Sequence, residues 1–205
     1  MVVQLVLQEL VVFLQNIWGS IQKPYATYRR LVLQDPVQLF ILFFLIGIYF
    51  FLVSPLKLHT LHPFLLTLNA SRLFTMTITT FLLIVLFFIT AAYFFGKEVS
   101  LPGVMNAWGY SLVPTLLWFF TTSLFYLLLP PPRHETLPGR IFSALFFAFS
   151  ISLFFWKGLL YYLTLRFALK FDLLRIIGVS LVFFPLLALY SWWMYSLGVF
   201  RVPFV

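Results

Sequence analysis

Five stretches of this chain run for close to the thickness of a bilayer with almost no charge, and that limits its fold more than any other feature. They are residues 37–53, 73–95, 104–129, 141–165 and 176–199. A helix needs about 20 apolar residues to cross the ~30 Å hydrocarbon core. Lipid offers no partner to backbone N–H and C=O groups, so a spanning segment must satisfy them within itself, which a helix does. Composition agrees: 63% of the residues are hydrophobic and 9% are charged, against about 25% charged in a soluble domain. The expected fold is all-α, a polytopic integral membrane bundle of about five transmembrane helices over residues 37–205.

Residues 1–36 form a different kind of segment. In residues 1–21 the polar Gln4, Gln8, Glu9, Gln15 and Asn16 fall on one side of a helix. Val3, Val6, Leu10, Phe13, Leu14 and Ile17 fall on the other. Such a helix lies in the membrane interface with its apolar face down. Glu9 would sit near the middle of a sixth span, the less favoured alternative. The segment lacks a basic start and a small-residue cleavage site, so a cleaved signal peptide is not expected. A basic connector with Lys23, Arg29 and Arg30 then leads to the helix-start signal Asp35-Pro36.

The remaining links are a loop over 54–72, a turn over 96–103, the stiff Pro130, Pro131 and Pro132, and a basic loop over 166–175. Orientation follows from Lys and Arg in short loops. Seven (Lys23, Arg29, Arg30, Lys97, Arg166, Lys170, Arg175) share the amino-terminal side of a five-span topology, and five (Lys57, Arg72, Arg133, Arg140, Arg201) lie opposite. That bias predicts a cytoplasmic amino terminus.

Several kinds of chemistry are excluded or disfavoured. The chain has no cysteine, which removes thiol catalysis, thiolate metal sites and disulfides. Its net charge of +8 comes from scattered residues flanking apolar runs, an anchoring pattern and not a nucleic-acid stripe. All five acidic residues (Glu9, Asp35, Glu98, Glu135, Asp172) lie outside the predicted spans. Ion-coupled transporters place an ionisable ligand inside the membrane, so this absence argues against a stand-alone transporter of that kind. His59 and His62 are spaced as H-x-x-H, but catalytic zinc needs three protein ligands and the one further histidine is His134. Gly96-Lys97 lacks the other residues of a phosphate-binding loop, and Asn69-Ala70-Ser71 is a bare glycosylation sequon. No enzyme activity, cofactor or metal is expected.

What remains is one intramembrane charge and two small-residue stripes. Lys157 stands about eight residues, or ~12 Å of helix, from the end of the fourth run. A lysine near a helix centre costs about 2.5–3.5 kcal/mol on insertion scales. The favoured expectation is that it snorkels towards the 166–175 side, meeting Asp172; the alternative is a ligand-binding role. Ala107, Ser111 and Thr115 recur every fourth position in the third run, as do Ala144, Ala148 and Ser152 in the fourth. Such stripes let helix backbones approach closely, inside the bundle or against a partner.

Three features carry a family resemblance: the connector Lys23-Pro-Tyr-Ala-Thr-Tyr-Arg-Arg, Asp35-Pro36, and the stretch from Phe95 to Pro114. Together with the five-span layout they resemble the Yip family, small membrane proteins of eukaryotic Golgi and endoplasmic reticulum with bacterial relatives. Gly109, Tyr110, Ser111 and Pro114 match the Gly-Tyr-Ser-x-x-Pro signature that opens the family's third span. The resemblance implies membrane-embedded scaffolding: eukaryotic members look like adaptors for Rab-type GTPases, and some bacterial members like accessory subunits of ATP-driven exporters. The eukaryotic Asp-Leu-Tyr-Gly-Pro signature and a long cytosolic amino-terminal region are missing here, so a bacterial-type member of a plasma membrane is the better match and a small GTPase is not an expected partner. The resemblance supplies no catalytic residue. The expected function is a non-enzymatic scaffold or accessory subunit that packs against other membrane subunits; the alternative is a transporter or channel component with a polar path involving Lys157.

Overall fold

The computed structural model describes residues 2–54, 63–128 and 137–198, and these are all-α. In chain order the helices are α1 (Val2–Gln22), α2 (Pro24–Leu31), α3 (Val37–Ile48), α4 (Pro63–Phe94), α5 (Leu101–Ser111), α6 (Val113–Leu128), α7 (Leu137–Leu163) and α8 (Leu173–Ser196). Two π-helical turns, Tyr49–Val53 and Thr164–Ala168, extend α3 and α7.

Among the described residues three helical stretches are long and apolar enough to cross a membrane: Leu68–Phe94, Gly139–Ala168 and Leu173–Ser196. They correspond to the second, fourth and fifth predicted spans. The first is the shorter apolar helix Val37–Val53. The third is two helices, because Pro114 has no N–H to give the Tyr110 carbonyl and its ring crowds that same carbonyl. The Leu112 N–H turns instead to the Gly109 carbonyl at 3.0 Å, and helix resumes from Val113. Another boundary moves as well. The expected loop over 54–72 is helical from Pro63 onward, since proline is suited to the first helical position and nothing from Phe64 to Arg72 breaks the pattern.

The short helix α5 lies at the centre. Gly103, Val104 and the run from Asn106 to Pro114 are buried, with α2, α3, α4 and α7 packed around them. Two glycines allow this approach. A Cβ on Gly103 would lie 2.7 Å from the Val32 carbonyl oxygen, and one on Gly109 would overlap the Leu39 side chain. Aromatic rings fill the space below: Phe88 meets Trp108 at 5.3 Å and Phe183 at 5.4 Å, and Tyr161 stacks on Phe183. Ring pairs of this geometry add about 0.5–1.5 kcal/mol each beyond the area they bury.

Helix α1 has three sectors where two were expected. Phe13, Asn16 and Ser20 are buried against the bundle. Leu7, Leu10, Val11, Leu14, Trp18 and Ile21 form an exposed apolar stripe at helical spacing. Gln4, Gln8 and Gln15 are exposed on the third side. The helix therefore docks through the edge between its polar and apolar sides, and keeps an apolar stripe for the membrane.

Hydrogen bonds hold the outer helices. Asp172 caps α8 by accepting the Arg175 N–H at 3.3 Å, with an ion pair to the Arg175 side chain at 3.6 Å. At the far end of α8 the Arg72 guanidinium donates to the Leu197 carbonyl at 2.8 Å. That places a cation at a helix carboxyl terminus, where the helix dipole favours it.

Candidate functional site

The polar side chains gather along the α5–α6 rod, and two groupings sit on either side of its break at Leu112. The first joins α1, the connector, α3 and α5. The Asn16 side chain is fully buried and its amide nitrogen donates to Gln38 at 2.9 Å, to Gln34 at 3.0 Å and to the Tyr110 hydroxyl at 3.3 Å. Its carbonyl oxygen accepts from the Arg30 guanidinium at 2.6 Å. Tyr110 in turn donates to Gln38. Asn106 donates to the Gln34 carbonyl at 2.6 Å.

The Ala107 carbonyl serves two further donors, Tyr28 and Thr164, each at 3.2 Å. Burial pushes the Tyr28 phenol far above its ordinary pKa, so it remains a neutral donor there. Buried polar groups left unpaired cost about 1–3 kcal/mol each, and here nearly all are paired. The Asn106 carbonyl oxygen and the Trp108 indole N–H find no partner among the described residues. This grouping can lock helices in register. It holds no nucleophile–base pair and no set of ligands for a metal.

The second grouping lies between α6 and α7. The Lys157 ammonium donates to the Thr115 hydroxyl at 2.9 Å. One turn further along α6, and two turns back along α7, the Trp118 indole N–H donates to Ser150 at 2.9 Å. Between these contacts is an open cleft of about 230 Å³ bounded by Pro114, Thr115, Trp118, Ser150, Phe154 and Lys157. The expected snorkelling of Lys157 to Asp172 is not what the fold forms. Asp172 is committed to the α8 cap, and Lys157 turns to α6, because Cα–Cβ bonds in a helix lean towards its amino terminus and here lead to Thr115.

The signature residues are therefore structural neighbours with separate tasks. Gly109 admits Leu39, Tyr110 belongs to the buried network, Ser111 is buried and donates to the Trp108 carbonyl at 2.6 Å, and Pro114 forces the break. Of the two small-residue stripes, Ala107, Ser111 and Thr115 face the bundle. Ala144, Ala148 and Ser152 are exposed, on the side of α7 away from Lys157. His59, His62 and His134 lie outside the described residues. Among the described residues no group of three His, Cys, Asp or Glu side chains could hold a metal. Asn69 of the sequon is exposed within helix α4.

Gln34, Gln38 and Asn106 carry no motif in the sequence, and Asn16 and Arg30 stand out there only as part of a polar helix side and a basic connector. The signal was there in part: Gln38 opens a charge-free apolar run and Asn16 is an amide beside Phe13 and Ile17. Uncharged amides in such places need partners. No protein-family model, curated protein or solved structure matches this chain.

Proposed function

We propose that the chain is a non-enzymatic scaffold or accessory subunit of a larger membrane assembly, crossing the membrane five times and acting by lateral helix packing. The observation that carries this reading is the exposed side of α7, where Ala144, Ala148 and Ser152 form a small-residue stripe that the bundle does not use. Within lipid, close backbone approach along such a stripe drives helix association. The five-crossing count adds Val37–Val53 and the α5–α6 pair to the three long helices. On this reading the amino terminus lies on the cytoplasmic side of a bacterial plasma membrane, and the resemblance to the Yip family favours an ATP-driven exporter as the assembly served.

A second reading, a transporter or channel component, draws on the Lys157 cleft. The threonines of α4 give it little support: Thr77, Thr80 and Thr90 donate to carbonyls one turn back in their own helix at 2.8–2.9 Å. Purification in mild detergent followed by mass spectrometry separates the two. The accessory reading expects a defined set of membrane subunits to accompany the chain, and Ala148→Leu to reduce their recovery while the chain still inserts. A solitary, monodisperse protein that moves a solute across liposomes would replace that reading with the second.

A further inference from the structure

Resting on the accessory-subunit reading, we propose that the cleft between α6 and α7 receives an apolar helix of a different protein, whose Asp or Glu pairs with Lys157. An ammonium has three N–H donors; among the described residues Thr115 takes one of them, and no carboxylate among those residues comes within ion-pairing distance. Charges held within lipid are paired with one another, with carbonyls or with water in a cavity. Lys157 borders a cleft whose other polar lining is Thr115, Ser150 and the Trp118 indole N–H already given to Ser150, and whose apolar lining includes the exposed Phe154. That surface fits an apolar segment bearing one acidic group.

Depth distinguishes this occupant from a lipid headgroup. Lys157 lies seven residues before Thr164, about 10 Å of helix inside the basic end of α7. The cleft runs from it towards Ser150, deeper still, whereas headgroup phosphates stay outside the hydrocarbon core. A second copy of this chain does not fit either. No Asp or Glu lies within any of its apolar helices from Val37 onward, so it has no carboxylate to offer at that depth.

The test uses full-length protein in phosphatidylcholine vesicles with a photo-crosslinking residue in place of Phe154. The probe is a synthetic Leu/Ala-rich transmembrane peptide with one central Glu, compared with its Gln twin. Capture of the Glu peptide is expected to exceed that of the Gln peptide about tenfold, the equivalent of ~1.4 kcal/mol. Lys157→Arg should preserve the preference and Lys157→Leu abolish it. Equal capture of the two peptides, or an unchanged preference in Lys157→Leu, overturns the proposal. So does loss of capture when anionic phosphatidylglycerol is added at constant salt, which would assign the cleft to lipid. Co-purification from native membranes separates this failure from that of the wider reading. Partners kept equally by wild type and Lys157→Leu leave the accessory role standing without the lysine, whereas no partner with either protein removes the accessory role itself.

Discussion

Asn16→Ala should release α1 from the bundle, and the structure supplies the size of the effect. The substitution deletes the 2.6 Å bond from Arg30, which is charge-assisted and contributes about 1.5–3 kcal/mol. It also deletes the amide donor shared by Gln38, Gln34 and Tyr110, about another 0.5–1.5 kcal/mol. Gln38 keeps its bond from Tyr110, so the penalty for an orphaned acceptor is small. The sum is ~3 kcal/mol, and at 1.4 kcal/mol per decade the detached population of α1 rises roughly 10²-fold. A cysteine-free chain makes this measurable. Ser20 is 2% exposed and lies on the same face, so Ser20→Cys is a nearly isosteric reporter that a membrane-impermeant maleimide reaches only when α1 lifts. Labelling should accelerate by about two orders of magnitude in Asn16→Ala and stay unchanged in the exposed control Gln15→Ala. Acceleration of less than threefold would refute the claim that the buried amide network, and not the apolar contact of Phe13, holds this helix.

Gly109→Ala should lower the melting temperature in detergent, with an overpacking cost of about 1–3 kcal/mol, because the new methyl meets Leu39; Gly158→Ala, where nothing lies within 4 Å, should raise stability by about 0.5–1 kcal/mol. Equal effects at the two sites would show that the close approach of α5 to α3 does not matter. Asp172→Ala should cost about 1 kcal/mol through loss of the α8 cap and speed hydrogen exchange in the first turn of α8, while Asp172→Asn should retain most of the protection.

The apolar runs translated into helices wherever the physics was local. Residues 73–95, 141–165 and 176–199 read as spans because uninterrupted hydrophobic length is itself the requirement, and α4, α7 and α8 follow with ends shifted by a few residues, or by ten where Pro63 supplied an earlier start. Pro114 stands inside the run over 104–129. Whether it kinked or divided the run depended on Leu112 turning back to Gly109, a contact no periodicity displays. Gly109 and Tyr110 stood out by resemblance alone, Ser111 by resemblance and by its place in a small-residue stripe, and their separate tasks appeared only once Leu39, Asn16 and Trp108 were beside them. Lys157 was the most legible single residue and the most misleading in direction. Its partner, Thr115, is 42 residues away and on another helix, whereas Asp172 was close in sequence and already engaged. The amide network was the least legible part, since it joins residues 16, 34, 38 and 110 through three separate helices and a connector.

The interruption at Leu112 makes the molecule mechanically uneven. Every hydrogen bond of the amide network lands on the α5 side, so that half behaves as a clamped plate. On the other side α6 is tied to its neighbours by ring packing, by single polar contacts such as Thr115 to Lys157, and by Ser123 to Tyr49 at 3.4 Å. With the Tyr110 carbonyl released from the regular ladder by Pro114, the joint between the halves bends at less cost than an unbroken helix would. A push on α6 at its Thr115 end therefore bends the rod at Leu112 before it disturbs the network on α5. A lever of that kind can follow a moving neighbour while its own mounting stays still.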